Sequence, residues 1–274
     1  MEAILVPTDF SDNSKPGLRF AIRLAARNKA SLVFVNIFQP KRPYLGDAEA
    51  MRKEQIAKAQ SKLEAFIRKV YNSLKVEPGQ YSCEILEGFK ADVSLLDYCQ
   101  NHPDIKLIII STRGGSFVNK ILGTNTGNLI IKSPIPVIAI PKDYRYRPLH
   151  NVLYATDLEN LDQEFQRVLD FAKPRGLSVE LLHFSSPSTL ELEKNLNKNE
   201  LESKTGYPLT IRIEKNDAHR PMSKNLQLEI EKIKPSMVIL FTNQQRGFFE
   251  RLFLSSMSEG LSFKSQTPLL VFKK

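Results

Sequence analysis

Cysteine occurs twice in 274 residues, at Cys83 and Cys99, too few for a disulfide framework, so a reducing cytoplasm is the simplest setting. Long apolar runs are missing too, and none approaches the roughly 20 residues that a bilayer span needs. The opening residues, MEAILVPTDFS, carry an acid at position 2 and an apolar stretch too short for a signal peptide. Histidine is scarce. His102, His150 and His219 fall in predicted loops and make no metal-ligand spacing with the two cysteines, while His183 falls in a strand and reads as a hydrogen-bonded core residue. The usual signatures of catalysis are absent: no Gly-x-Ser-x-Gly, no Gly-x-x-x-x-Gly-Lys-Ser/Thr and no paired His-Glu metal motif. The formal charge of +9 is spread along the chain, and its densest cluster, Lys142 to Arg147, sits where a linker would. Dispersed charge without a binding motif argues against a nucleic-acid partner.

What is present is a core-forming composition, 42% hydrophobic and 25% charged, in a chain long enough for two ordinary domains. Ala3 to Pro7 forms an apolar strand that ends in Thr8-Asp9-Phe10-Ser11. A helix over Ser14 to Asn28 follows, with Leu18, Ala21, Ile22 and Ala25 at helical spacing. Ser31 to Phe38 is the second strand, Ala48 to Leu74 a long helix, Tyr81 to Leu86 the third strand and Ala91 to Gln100 the third helix. Leu107 to Ile110 is a short buried strand, Ile135 to Ile140 another. Between them lies a loop with Gly114, Gly115 and Gly123, leading to a helix that Thr124, Asn125 or Thr126 can cap. Strand and helix alternate, as in a doubly wound parallel sheet. In such sheets ligands bind beyond the carboxyl ends of the strands, which is where Asp9 falls. A glycine-flanked loop opening a helix also favours an anion.

The pattern then begins again. Asn151 to Asp157 repeats the opening strand with its Thr-Asp ending, 148 residues after Asp9. Ser178 to Phe184, Met237 to Phe241 and Thr267 to Phe272 match the second, fourth and fifth strands. Two homologous halves, residues 1–145 and 146–274, account for the length.

Strand-Pro-Thr-Asp-Phe-Ser, a glycine loop after the fourth strand and a closing Pro-Val-Ile-Ala-Ile strand together resemble the universal stress protein family in a tandem form. The resemblance implies an α/β fold of two Rossmann-like (adenine nucleotide alpha hydrolase-like) domains, each a five-stranded parallel sheet with helices on both faces. One branch of that family binds ATP through Gly-x-x-Gly, a nine-residue spacer and Gly-Ser/Thr. Here Ser111-Thr112-Arg113-Gly114 stands in the first position, so the first glycine is a serine, and eight residues separate Gly114 from an intact Gly123-Thr124. By resemblance, Thr8, Asp9 and Ile37 line the adenosine side. Gly114, Gly123, Thr124, Asn125 and Thr126 hold phosphates, Arg113 adds a cation, and Ser111 places a side chain where the family keeps the backbone bare. Asp9 has a plainer alternative role, capping the helix it precedes.

The second half has Thr242-Asn243-Gln244-Gln245 and Ser255-Ser256 in those places, so it is expected not to bind ATP, and Asp157 becomes a relic that caps a helix. Phe248, Phe249, Leu252 and Phe253 are expected to pack between the halves. Three functions remain open on this reading. The first is a stress-response regulator binding ATP, with Mg²⁺, or another adenine nucleotide in its first half. The second is a nucleotide-free scaffold acting through an unidentified protein partner, and the third is a slow ATPase. The resemblance also implies a pseudo-dimer within the chain through the last strands, and leaves a homodimer open.

Overall fold

The computed structural model describes residues 2–40, 47–112, 125–187, 189–217, 219–242 and 266–274. These divide into two compact units, one running to Tyr146 and the other from Arg147 onward.

In the first unit, β1 (Ala3–Pro7), β2 (Ser31–Phe38), β3 (Tyr81–Glu87), β4 (Ile105–Thr112) and β5 (Val137–Pro141) form a sheet in the order β3-β2-β1-β4-β5. Every neighbouring pair is parallel. Such strands are covered on both faces and must be apolar throughout, which is how AILV and VIAI read; Leu5, Ile108, Ile109, Val137 and Ile138 are fully buried. Parallel neighbours also need a helix to carry the chain back. Here these are α1 (Lys15–Asn28), α2 (Ala48–Leu74), α3 (Ala91–Asn101) and α4 (Asn125–Lys132). Helix α1 packs beside α2, and α3 beside α4. Because crossovers are right-handed and the strand order reverses direction after β3, the two pairs lie on opposite faces.

The first helix begins one residue later than its apolar spacing predicts. A 3₁₀ turn over Asp12–Ser14 precedes it, and Pro16 sits in its first turn, where no amide hydrogen is needed. Helix α2 opens on Asp47, whose carboxylate accepts from the amides of Glu49 (2.9 Å) and Ala50 (3.1 Å).

The second unit repeats the plan with β6 (Asn151–Thr156), β7 (Ser178–Ser185), β8 (Leu209–Lys215), β9 (Met237–Thr242) and β10 (Leu269–Lys273) in the order β8-β7-β6-β9-β10, again all parallel. Its described helices are α5 (Leu161–Ala172), α6 (Leu190–Lys194), α7 (Lys198–Thr205) and α8 (Met222–Ile233). The repeat read from the sequence covers β6, β7, β9 and β10 and leaves out β8 and these four helices. The main departure from the first unit lies between the second and third strands, where α6 and α7 replace the long α2.

Candidate functional site

The carboxyl end of β1 is built by short side chains that turn the backbone back on itself. Thr8 is buried; its amide donates to the Val35 carbonyl (2.8 Å), and its hydroxyl oxygen accepts from the Phe10 amide (3.1 Å). Asp9 Oδ1 accepts from the Ser11 amide (3.0 Å) and hydroxyl (2.5 Å). This pair of local bonds places Phe10 at φ +65°, a left-handed conformation that costs a non-glycine residue energy. Edge-on packing of Phe10 on Phe66, with ring centroids 5.6 Å apart, and the Lys62 ammonium 4.3 Å from the Phe10 ring help to hold it there. The turn leaves Asp9 exposed at the sheet edge. Asp9 does not cap α1: the position before the helix is Ser14, and Asp9 accepts from the Ser11 amide and hydroxyl.

Two side chains that the motif reading passed over complete this corner. Asn36, buried in β2, donates from Nδ2 to the Thr8 carbonyl (2.7 Å). The signal was a lone amide inside the apolar run SLVFVNIF. Ser14 is buried as well, with its hydroxyl 2.8 Å from that of Thr8 and donating to the Ser11 carbonyl (2.8 Å). Ile37, next to Asn36, is half-buried and faces Leu86 across the β2–β3 ladder.

Ser111, near the end of β4, turns its side chain onto the start of α1. Its hydroxyl accepts from the Gly17 amide (2.7 Å) and donates to the Ser14 carbonyl (3.0 Å). The amides of a helix's first turn have no partner within the helix, so this serine satisfies one of them. Gly17 is obligatory for the fit. A Cβ there would stand 2.7 Å from Ser111 Oγ and 3.0 Å from the Ser111 backbone nitrogen. Thr8, Ser14, Gly17 and Ser111 thus meet at one corner between β1, β4 and the start of α1. Arg113, Gly114, Gly123 and Thr124 lie outside the described residues. Asn125 and Thr126 are described as the first residues of α4 by backbone alone.

The second unit builds the same turn. Thr156 Oγ1 accepts from the Leu158 amide (3.0 Å), Leu158 takes φ +68°, and His183 Nδ1 lies 2.9 Å from the Thr156 carbonyl, doing the work of Asn36. His183 is therefore the hydrogen-bonded core histidine its position predicts. The surroundings are different. Asp157 is only 4% exposed, and the Lys274 ammonium lies 2.9 Å from its carboxylate and 3.2 Å from that of Glu164. The Tyr154 hydroxyl donates to the other oxygen of Glu164 (2.5 Å).

Burial pushes the Glu164 carboxyl up, against the opposing Tyr154 bond and the Lys274 charge. Burial pulls the Lys274 ammonium down, but its bond to Asp157 and the charges of Glu164 and Asp157 outweigh this and hold it above the usual lysine value. Asp157 is thus not a helix cap, since α5 begins at Leu161 beyond Asn160. It anchors a buried ion cluster. Thr242, which stands for the first glycine of this half, is buried, and its hydroxyl donates to the Phe272 carbonyl (3.3 Å). Residues 243–265, which include the phenylalanines expected between the halves, lie outside the described residues.

A family model described as the universal stress protein family matches residues 1–141. The chain belongs to the universal stress protein family. Among solved structures, a universal stress protein from Archaeoglobus fulgidus aligns over 99% of this chain and 98% of its own, at 17% identity and TM-score 0.69. One called a putative universal stress protein from Pseudomonas aeruginosa covers 100% of this chain and 93% of its own, at 18% identity and TM-score 0.63. At these identities the likeness speaks for the fold. No curated protein matches the chain. Among the described residues, no group of three or more His, Cys, Asp or Glu side chains could hold a metal ion, and no helix is long and apolar enough to cross a membrane.

Proposed function

We propose that this universal stress protein is a stress-response regulator that binds an adenine nucleotide in its first half, at the carboxyl end of β1, and that its second half is structural. The observation that carries the reading is the contrast between two copies of one turn. Both present an aspartate after the first strand, but Asp9 is exposed, whereas Asp157 is buried under Lys274. An ionised carboxylate only accepts hydrogen bonds, and adenosine offers donors in its ribose hydroxyls and its amine. Asp9 also stands between β2 and β4, on either side of β1, where the strand order reverses and α/β sheets take ligands. In the second half the Lys274 ammonium covers the buried carboxylate of Asp157.

Mg²⁺ would enter with the phosphates of ATP, since the first half offers Asp9 and no preformed cluster of ligands among the described residues. The scaffold reading draws on Ser111, which fills the position of the family's first glycine and bonds to α1.

Calorimetric titration of the nucleotide-stripped protein with AMP, ADP and MgATP tests this, beside Asp9→Ala and Gly123→Val. The expected result is one nucleotide per chain, weakened at least about tenfold by loss of a charge-assisted bond in Asp9→Ala. No heat with any nucleotide, and none released on denaturing the untreated protein, would leave the scaffold. Release of ADP and phosphate from bound ATP would make the protein a slow ATPase.

A further inference from the structure

Along the chain the positive charge looks dispersed, but the fold gathers part of it on one face of the first unit. Helix α1 carries Lys15, Arg19, Arg23 and Arg27 at intervals of four residues and holds no Asp or Glu. That interval advances about 6 Å along a helix, so the four cations form a slowly winding stripe. Arg19 and Arg27 are exposed; Lys15 and Arg23 are half-buried.

Neighbouring elements extend the stripe. The chain after β5 lies along α1. The Tyr144 and Tyr146 rings meet Phe20 edge-on, at centroid distances of 5.9 and 6.3 Å, and the Arg23 guanidinium stands 4.3 Å from the Tyr146 ring. Arg145, between the two tyrosines, is exposed. Toward α2, the Lys15 ammonium is 6.0 Å from the Phe66 ring. Lys62 and Lys69, four residues before Phe66 and three after it, share its side of α2 and are exposed.

A merely solvated helix is patterned differently. Helix α2 pairs Lys53 with Glu49 (2.9 Å) and Lys58 with Glu54 (2.5 Å), and α7 pairs Lys204 with Glu200 (2.7 Å), each over the same four-residue interval. Opposite charges at that interval support a helix, and like charges destabilise it. In the turn before α1, Asp12 pairs with Lys15 (2.5 Å), and the charge of Arg19 also acts on it. Among the described residues, no carboxylate forms an ion pair with Arg19, Arg23, Arg27 or Arg145. The helix dipole accounts for Arg27, in the last turn, and for none of the others.

The chemistry of the stripe selects among anions. A guanidinium holds a phosphate through two parallel N–H bonds, and cations repeated along a line suit phosphates repeated along a chain. A bilayer fits less well, since no large apolar side chain of α1 or of residues 142–146 is exposed to enter it. We propose that this face of the first unit, with Arg19, Arg23, Arg27 and Arg145 at its centre, binds the phosphate backbone of a nucleic acid without sequence preference. Phosphate contacts position a protein on the strand and leave the bases unread. Binding there needs no nucleotide at Asp9.

Fluorescence anisotropy of two labelled 20-nucleotide RNAs of unrelated sequence, titrated with the full chain at 50, 100 and 200 mM KCl, tests this. Both should bind alike. With about −0.7 per phosphate neutralised and four arginines engaged, log K should fall against log [salt] with a slope of about −3, about 50-fold over the range. Arg19→Gln combined with Arg27→Gln should weaken binding at 50 mM by at least about tenfold and make the slope shallower by about 1.4. Urea unfolding should show no loss of stability in that variant, because it removes like-charge neighbours. Arg145→Gln, outside the helix, should weaken binding in the same direction. Lys194→Gln combined with Lys198→Gln removes the same charge from the second unit and should leave the affinity within about twofold of wild type. No binding at 50 mM, a tenfold preference for one sequence, or equal losses in the two double variants overturns the proposal. So does tighter, arginine-dependent binding to phosphatidylserine vesicles or polyglutamate, which would give the face to a membrane or an acidic protein.

Discussion

Lys274 holds together the buried ion cluster of the second half. It is a 10% exposed ammonium set between two carboxylates that are each 4% exposed. Removing one partner from a buried pair strands the other, which costs about 3–5 kcal/mol. Lys274→Met should therefore lose about that much stability at neutral pH, measured by urea unfolding. The pH dependence has a definite sign. The folded pKa of Lys274 lies above its usual value, so its contribution is complete below about pH 10.4 and disappears as pH rises through the folded value. In the variant that alkaline loss should vanish. Acidification should instead recover stability, because Glu164, whose carboxyl burial already pushes up, can then be buried as a neutral acid. A variant as stable as wild type between pH 6 and 8 would show that the cluster contributes nothing. The two cysteines lie at the opposite extreme of reactivity. Burial raises both thiols to about 11, so neither is a nucleophile at neutral pH.

Among the elements, three helix ends share a feature that sequence alone does not announce. Lys29, Lys75 and Lys234 follow α1, α2 and α8 in the left-handed conformation, at φ 52°, 53° and 52°. Glycine adopts that conformation without a side-chain penalty. Lys75→Gly and Lys234→Gly should each raise stability by about 0.5–1 kcal/mol in urea unfolding, and a loss at both would refute the argument. Most elements were legible because burial imposes a pattern. The parallel strands are unbroken apolar runs, and α1 carries an apolar stripe. Strand β8 was harder to see: LTIRIEK lies at an end of its sheet, alternates polar and apolar residues, and leaves Ile213 47% exposed. Helices α6 and α7 were hidden for a related reason, since ELEKNLNKNELESKT has almost no buried face, and only Leu201 in the two helices is buried. At the site, Thr8 and Asp9 were legible from their place after a strand. Asn36 and Ser14 were not, because their roles depend on contacts across the sheet that a local pattern does not contain.

At the scale of the molecule, one turn has been put to two uses. Both units end their first strand in Thr-Asp, bend through a left-handed residue and tie the threonine carbonyl to the second strand. One copy leaves its aspartate exposed; the other closes over it with Lys274, Glu164 and Tyr154. A nucleotide bound as proposed should therefore stabilise the chain unequally. At a free concentration 100 times the dissociation constant, binding contributes about 2.7 kcal/mol to whatever unfolds with the site. Exchange measured with and without nucleotide should show new protection at residues 8–17 and 36–40, and none at residues 156–165 and 183–187. Uniform protection would mean that the halves respond as one body to the ligand. Protection confined to the second half would place the nucleotide there, and the buried Asp157–Lys274 pair would then have to open to admit it.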